Sequence, residues 1–253
     1  MPNILLCNSE LSNLGLMITG FGLSVPFYII SALALVVIIS SYIFIPQAVA
    51  SSDIRERKVR LSYGGLLRGS ILKISLSAVL LMSGTYGIFS IMGFFIQDRF
   101  NLETIEVAQM LGVGLMCAAA ANVFVQTFLI KIIRVRIKWL ISIGISLSMC
   151  SIALLWFYES ESVFFLAMLF NGLGLGFSMP ALNTALSLSA SSQDQGRIAG
   201  ISTACQSIAF LIAPMSSAAL YQFIPILPFV FAACLIVLAQ FIVLRTVVVD
   251  AIR

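Results

Sequence analysis

Histidine is absent from the 253 residues, and Asp, Glu, Lys and Arg together make up only 9% of them. Without an imidazole, the usual proton shuttle near neutral pH is missing, and so is the commonest metal ligand. A soluble globular domain carries roughly 25% charged residues, so this chain has too few to cover a surface facing water. Its 60% apolar content and mean hydropathy of +1.10 point the same way. Disorder, collagen, a disulfide scaffold and an ordinary soluble enzyme are excluded on composition. The five cysteines (Cys7, Cys117, Cys150, Cys205 and Cys234) form no CxxC pair, and four lie in apolar runs. They are expected to be small buried hydrophobes, with neither a disulfide framework nor a metal site. No Lys or Arg precedes the first apolar stretch, and Glu10 stands where a signal peptide needs positive charge, so no cleavable signal is expected.

What the chain has instead is length without charge. Runs free of Asp, Glu, Lys and Arg cover Leu11–Ser52, Ile74–Gln97, Val107–Ile130, Trp139–Tyr158, Ser162–Gln193 and Ile198–Leu244, or 189 of the 253 residues. A helix that crosses a bilayer needs about 20 such residues. Prolines and charges divide the runs into seven spans: Pro26–Ile45, Ile71–Ile96, Val107–Ile130, Trp139–Tyr158, Val163–Ala190, Ile198–Tyr221 and Phe229–Leu244. Leu11–Val25 is short and glycine-rich, which suits a partial helix or a re-entrant piece. The expected fold is therefore an all-α polytopic membrane protein with seven transmembrane helices.

The connections alternate in charge. Residues 46–70 hold five Lys and Arg, and 131–138 hold four, whereas 97–106 carry Asp98, Glu103 and Glu106. Placing alternate loops inside puts 13 of the 14 Lys and Arg residues in the cytoplasm, with Arg99 alone outside. This obeys the positive-inside bias and predicts a cytoplasmic C-terminus. It also assigns the +4 net charge to orientation in the lipid bilayer rather than to nucleic acid. Residues 46–70 read as a central cytoplasmic loop, 71–245 as a six-helix bundle and 246–253 as a cytoplasmic tail.

No span has a charged residue in its interior, and intramembrane proton relays and ion ligands usually need one. Lys73 sits at a span edge, where it is expected to snorkel to the interface. No enzymatic, cofactor or metal chemistry is expected. Gly172-Leu-Gly174-Leu-Gly176 lacks the spacing of a nucleotide loop. Gly172 and Gly176 instead make a GxxxG face for close helix approach, as do Gly196 and Gly200, Gly112 and Gly114, and Ala118–Ala121. The amides inside spans are Asn122, Gln126, Asn171, Asn183, Gln206 and Gln240. Each must find a partner helix or a water-filled cavity. Asn122 and Gln126 are four apart and share a helix face. Tyr86 offers an aromatic surface with a hydroxyl handle. Pro180 and Pro214 lie inside spans and should bend them, which suits packing or a gate.

Three stretches carry a family resemblance. The run from Leu169 to Ser187, then Gln195-Gly196-Arg197-Ile-Ala-Gly200, then Ala213-Pro214 and Tyr221, resembles the tenth and eleventh helices of the major facilitator superfamily. Its drug:proton antiporters of the multidrug and tetracycline-efflux type are the nearest in character. Gly93–Phe100 resembles the outer end of the seventh helix, Lys131–Lys138 the basic turn between helices eight and nine, and Pro26–Pro46 helix six. The family's Asp and Gly are missing from 131–138, and Ala213 replaces the glycine before the helix-eleven proline.

The resemblance implies a truncated C-terminal portion: helix six, the central loop and the whole second half, with residues 1–25 a remnant of helix five. Helices one to four, which carry the usual coupling residues, and the rest of the N-terminal half would be missing. Under that alignment the helices lining a substrate cavity contain Tyr86, Asn122, Gln126, Asn171, Asn183 and Gln206. Only Gln240 falls outside them. The implied activity is secondary transport, as efflux of small amphipathic molecules across a cell membrane, bacterial inner membrane by resemblance. A non-transporting membrane subunit or a half-carrier is the alternative. A seven-helix receptor is disfavoured, because its DR-like Asp98-Arg99 falls outside and no lysine lies in the final spans for a retinal link.

Overall fold

The computed structural model describes residues 25–44, 69–132, 135–157, 160–189 and 194–245. They divide between two units, residues 1–61 and 62–253. The first contains α1, Val25–Phe44, a helix with an unbroken apolar sequence and exposed Tyr28, Leu33, Val37 and Ile43. The second contains α2 (Ser70–Phe100), α3 (Thr104–Phe124), α4 (Ile137–Trp156), α5 (Glu161–Leu188), α6 (Gln195–Phe223) and α7 (Leu227–Arg245). α3 runs on through a π-helical turn, Val125–Leu129, and a last turn, Ile130–Ile132. Among the described residues there is no strand. All six helices of the second unit are long and apolar enough to cross a membrane. A helix stands at each of the seven spans read from charge-free runs, with ends displaced by a few residues; beside the six, the first contributes a shorter apolar helix, Ser31–Ile43 within α1. The expected remnant at 1–25 lies outside the described residues apart from its last position, Val25, which opens α1; the 246–253 tail and nearly all of the 46–70 loop also lie outside.

Helix is the dictated form here, because lipid offers no partner for backbone N–H and C=O groups. Hydroxyls follow the same rule. Ser77, Thr85, Ser178, Thr184, Thr203 and Ser207 each donate to a carbonyl one turn back, at 2.7–3.1 Å. Local residues stop and start the helices. Asn101, in the left-handed region at φ 52°, ends α2 by donating its N–H to Gln97 O. Two residues later Glu103 and Glu106 form a reciprocal capping box that opens α3.

Connections of no more than six residues reverse the chain between successive helices. Asp98, Arg99, Glu103, Glu106 and Glu161 therefore gather at one end of the bundle. Lys73, Arg136, Lys138, Arg197 and Arg245 gather at the other with Asp194, so the alternation read from sequence becomes a charge difference between ends. The main packing pairs are α4 with α5, α2 with α7, α2 with α6, α3 with α5 and α4 with α7. Exchanging α2, α3, α4 for α5, α6, α7 leaves this set unchanged. Three is odd, so the two triplets run in opposite senses, as in an inverted repeat.

Close packing, not hydrophobic exclusion, holds helices together in lipid. Fully buried Phe164 fills the space above Gly114, where an added Cβ would meet its ring at 2.6 Å. Gly172 and Gly176 lie against α3: a Cβ on Gly172 would strike the Ala118 backbone, and one on Gly176 would meet Val125 at 2.9 Å. Gly174, between them, faces α4 at Gly144 and Ser148. The GxGxG stretch thus seats α5 between two neighbours. Gly112, Gly196 and Gly200 correct the sequence reading, since nothing lies within 4 Å of a Cβ built on any of them. The cysteines correct it too. Cys117 and Cys205 are half-buried, Cys150 and Cys234 are exposed, and Cys7 lies outside the described residues. A thiol facing lipid is already in apolar surroundings, so burial within protein gains it little.

Candidate functional site

The outer surfaces of the helices differ in chemistry. Up to its terminal Arg245, α7 exposes only apolar side chains, among them Val230, Val237, Leu238 and Phe241. That surface suits lipid. α3 and α6 bury the smallest share of their central residues, 17% and 28%, against 33% for α7 and 50% for α2, α4 and α5. Their open surfaces are also mixed in character. Gln126 and Thr127 are exposed on α3, and Thr203 and Ser207 on α6. Thr203 and Ser207 are satisfied within their own helix. The Gln126 amide has more hydrogen-bonding groups than its one bond to Asn122 uses, and hydrocarbon serves none of them. The open face of α3 therefore suits a water-filled cavity or a second protein surface.

The amides anticipated from sequence fall into separate groups. Gln126 Nε2 donates to Asn122 Oδ1 on α3, so these two satisfy each other, as their shared face implied. The bond spans the entry to the π-turn, which sequence reading missed. Such turns concentrate at functional positions. Val125, wholly buried against α5, anchors the turn while Gln126 stays outside.

Asn183, exposed on α5, accepts a hydrogen bond from Ser202 Oγ of α6 at 2.8 Å. One turn further along α6, Gln206 is half-buried, and beyond it Phe210 is exposed. The half-buried ring of Tyr86 stacks on Phe210 with centroids 4.2 Å apart and planes 17° from parallel. This contact joins α2 to α6 and makes a flat aromatic platform beside Gln206. Sequence pointed to Tyr86 but not to Phe210, because only the packing of α6 on α2 brings them together. Thr85, next to Tyr86, turns the other way and donates to Leu81 O.

Asn171 is different. It is only 6% exposed, lies among α2, α4 and α5, and has no partner for its Oδ1. Gln240, the amide outside the anticipated cavity helices, donates to Ser142 Oγ at 2.7 Å and ties α7 to α4.

Both helices run unbroken through their prolines, Pro180 in α5 and Pro214 in α6. Proline has no N–H, so Gly176 O and Phe210 O lose their usual helical donors. Phe210, the platform residue, thus carries a carbonyl freed by Pro214. Charges stay at the ends, where Arg197 pairs with Asp194 at 2.9 Å as α6 begins. Among the described residues no group of three His, Cys, Asp or Glu is placed to hold a metal ion.

This helix order, with an inverted triplet repeat and polar groups on the open surfaces of α3 and α6, is matched in sequence. Residues 14–214, and again 134–251, fit the model of the Major Facilitator Superfamily. The chain belongs to the major facilitator superfamily. It is accordingly a multi-pass membrane protein of a family that moves small molecules across membranes. No curated protein matches it.

Proposed function

We propose that this chain supplies the second six-helix half of a secondary transporter that exports small amphipathic molecules. Tyr86, Phe210, Gln206, Asn183 and the Asn122–Gln126 pair form its side of the substrate path. The observation that carries this reading is the contrast between faces. Up to its terminal Arg245, α7 is apolar wherever it is open, whereas α3 and α6 are the least covered helices and carry polar side chains there. A first six-helix bundle packing on α3 and α6 would enclose those groups in a cavity between halves that rock around the substrate.

An aromatic stack with neutral amides and no charge suits ligands that present flat apolar surface and a few polar atoms. Asn171 would act from behind this path as a helix-positioning group. The basic end of the bundle is assigned to the cytoplasm by the positive-inside bias, which places Arg245 and the C-terminus there in a cell membrane.

The test is accumulation of a lipophilic fluorescent dye in cells expressing this chain with a first half from a related transporter. Lower accumulation than with either piece alone is expected. Equal accumulation in all three, with both pieces in the membrane, would reject export in favour of a non-transporting subunit.

A further inference from the structure

We infer that one water molecule binds in the bundle interior between α2, α4 and α5, held by Asn171, Thr85 and Ser151. The inference concerns the fold and stands apart from the transport reading. The three side chains line a small cavity closed by Ile88, Met92 and Ile152. The space open to the centre of a water-sized sphere is about 10 Å³, close to the 10–15 Å³ that one water needs.

The chemistry of the lining defines the occupant. Asn171 Oδ1 is a buried acceptor without a donor. The Thr85 hydroxyl, on a residue 2% exposed, already gives its proton to Leu81 O at 2.9 Å. The Ser151 hydroxyl, on a residue with no exposure, gives its proton to Ala167 O at 2.7 Å. Each retains oxygen lone pairs and has no further proton to offer. Asn171 Oδ1 lacks a donor, since the amide's own N–H groups cannot reach back to it, and the two hydroxyl oxygens keep free lone pairs, so the fitting occupant is one that donates and has the volume of a water. Such a water gives one O–H to Asn171 Oδ1 and the other to a hydroxyl oxygen. An apolar filler of the same size would leave the amide oxygen unpaired in a region without bulk water. The bound water joins three helices at a point where no direct polar contact spans all of them.

Two measurements on the full chain in lipid nanodiscs test this. With isoleucine methyls labelled, water-to-methyl cross-relaxation should appear at Ile88 and Ile152 in the native protein. It should vanish in Asn171→Leu, which keeps both hydroxyls and fills the cavity. No signal in the native protein, or a signal that persists in Asn171→Leu, overturns the assignment.

Thermal unfolding gives the second arm. If water satisfies the amide, Asn171→Leu melts no higher than the native chain, because a bonded group is lost. If the amide is buried dry, Leu removes an uncompensated polar group, and the melting temperature rises by about 3 °C or more. That rise would count against the water.

Discussion

Tyr221 Oη donates a hydrogen bond to Asp98 Oδ2 across 123 positions of sequence, tying the last turn of α2 to the last turn of α6. The bond sits beyond Pro214, at the far end from the basic helix termini, and joins the ends of α2 and α6 there. Together with the Tyr86–Phe210 stack it gives this helix pair two separate fastenings.

Tyr221→Phe deletes that bond while keeping the ring. A hydrogen bond to a charged group in a partly wet site is worth about 1 kcal/mol, so the melting temperature should fall by roughly 2–4 °C. Asp98→Asn keeps an acceptor and should lose less. Unchanged melting in Tyr221→Phe would show that the pair contributes nothing.

The two kinds of glycine separate cleanly. Gly172→Ala places a methyl group on the Ala118 backbone, which cannot yield as a side-chain end would. Overpacking of this sort costs about 1–3 kcal/mol. Gly200→Ala enters open space and gains helix propensity of roughly 0.5–1 kcal/mol. Thermal unfolding of both variants in the same detergent should move in opposite directions.

Gln240 and Ser142 provide a polar link between α7 and α4. A double-mutant cycle with Gln240→Leu and Ser142→Ala should return a coupling of about 0.6 kcal/mol, the usual worth of such a bond in a membrane bundle. Strict additivity would remove the bond from the account of helix packing.

Loss of the aromatic platform should weaken transport more than loss of its hydroxyl. With a first half present, Phe210→Ala is expected to weaken apparent substrate affinity by about 2–10-fold, the value of one aromatic contact. Tyr86→Phe should leave it nearly unchanged. Gln206→Leu and Asn122→Leu should insert normally yet alter transport. Dye efflux in whole cells, normalised to membrane content, measures all four.

Sidedness can be checked with single cysteines in a chain freed of native thiols. Lys58→Cys and Arg136→Cys should react with a membrane-impermeant maleimide from the same side, and Glu103→Cys from the other. Labelling of positions 58 and 136 from opposite sides would break the topology.

The helices were legible because charge is so costly in hydrocarbon that its absence marks each span to within a few residues. Which way each helix turns was not. Asn171 and Asn183 lie on one helix twelve residues apart, about 120° around its axis. One points into the bundle and the other out of it. GxxxG spacing likewise says that a helix can be approached, not that anything approaches it, so Gly172 and Gly196 read alike from sequence. Phe210 was invisible as a site residue, since an apolar ring on an apolar helix acquires meaning only from Tyr86 opposite it.

The wide turn at Val125–Leu129 holds one residue more than an α-helical turn covering the same rise. Deleting Thr127 would therefore tighten it to ordinary helix and leave the C-terminal end of α3 in step with what precedes it. The same deletion a turn earlier would swing everything downstream by about 100°. α3 thus carries a built-in slack point, one at which the length of the chain can change by a residue while the buried seam against α5 keeps its register.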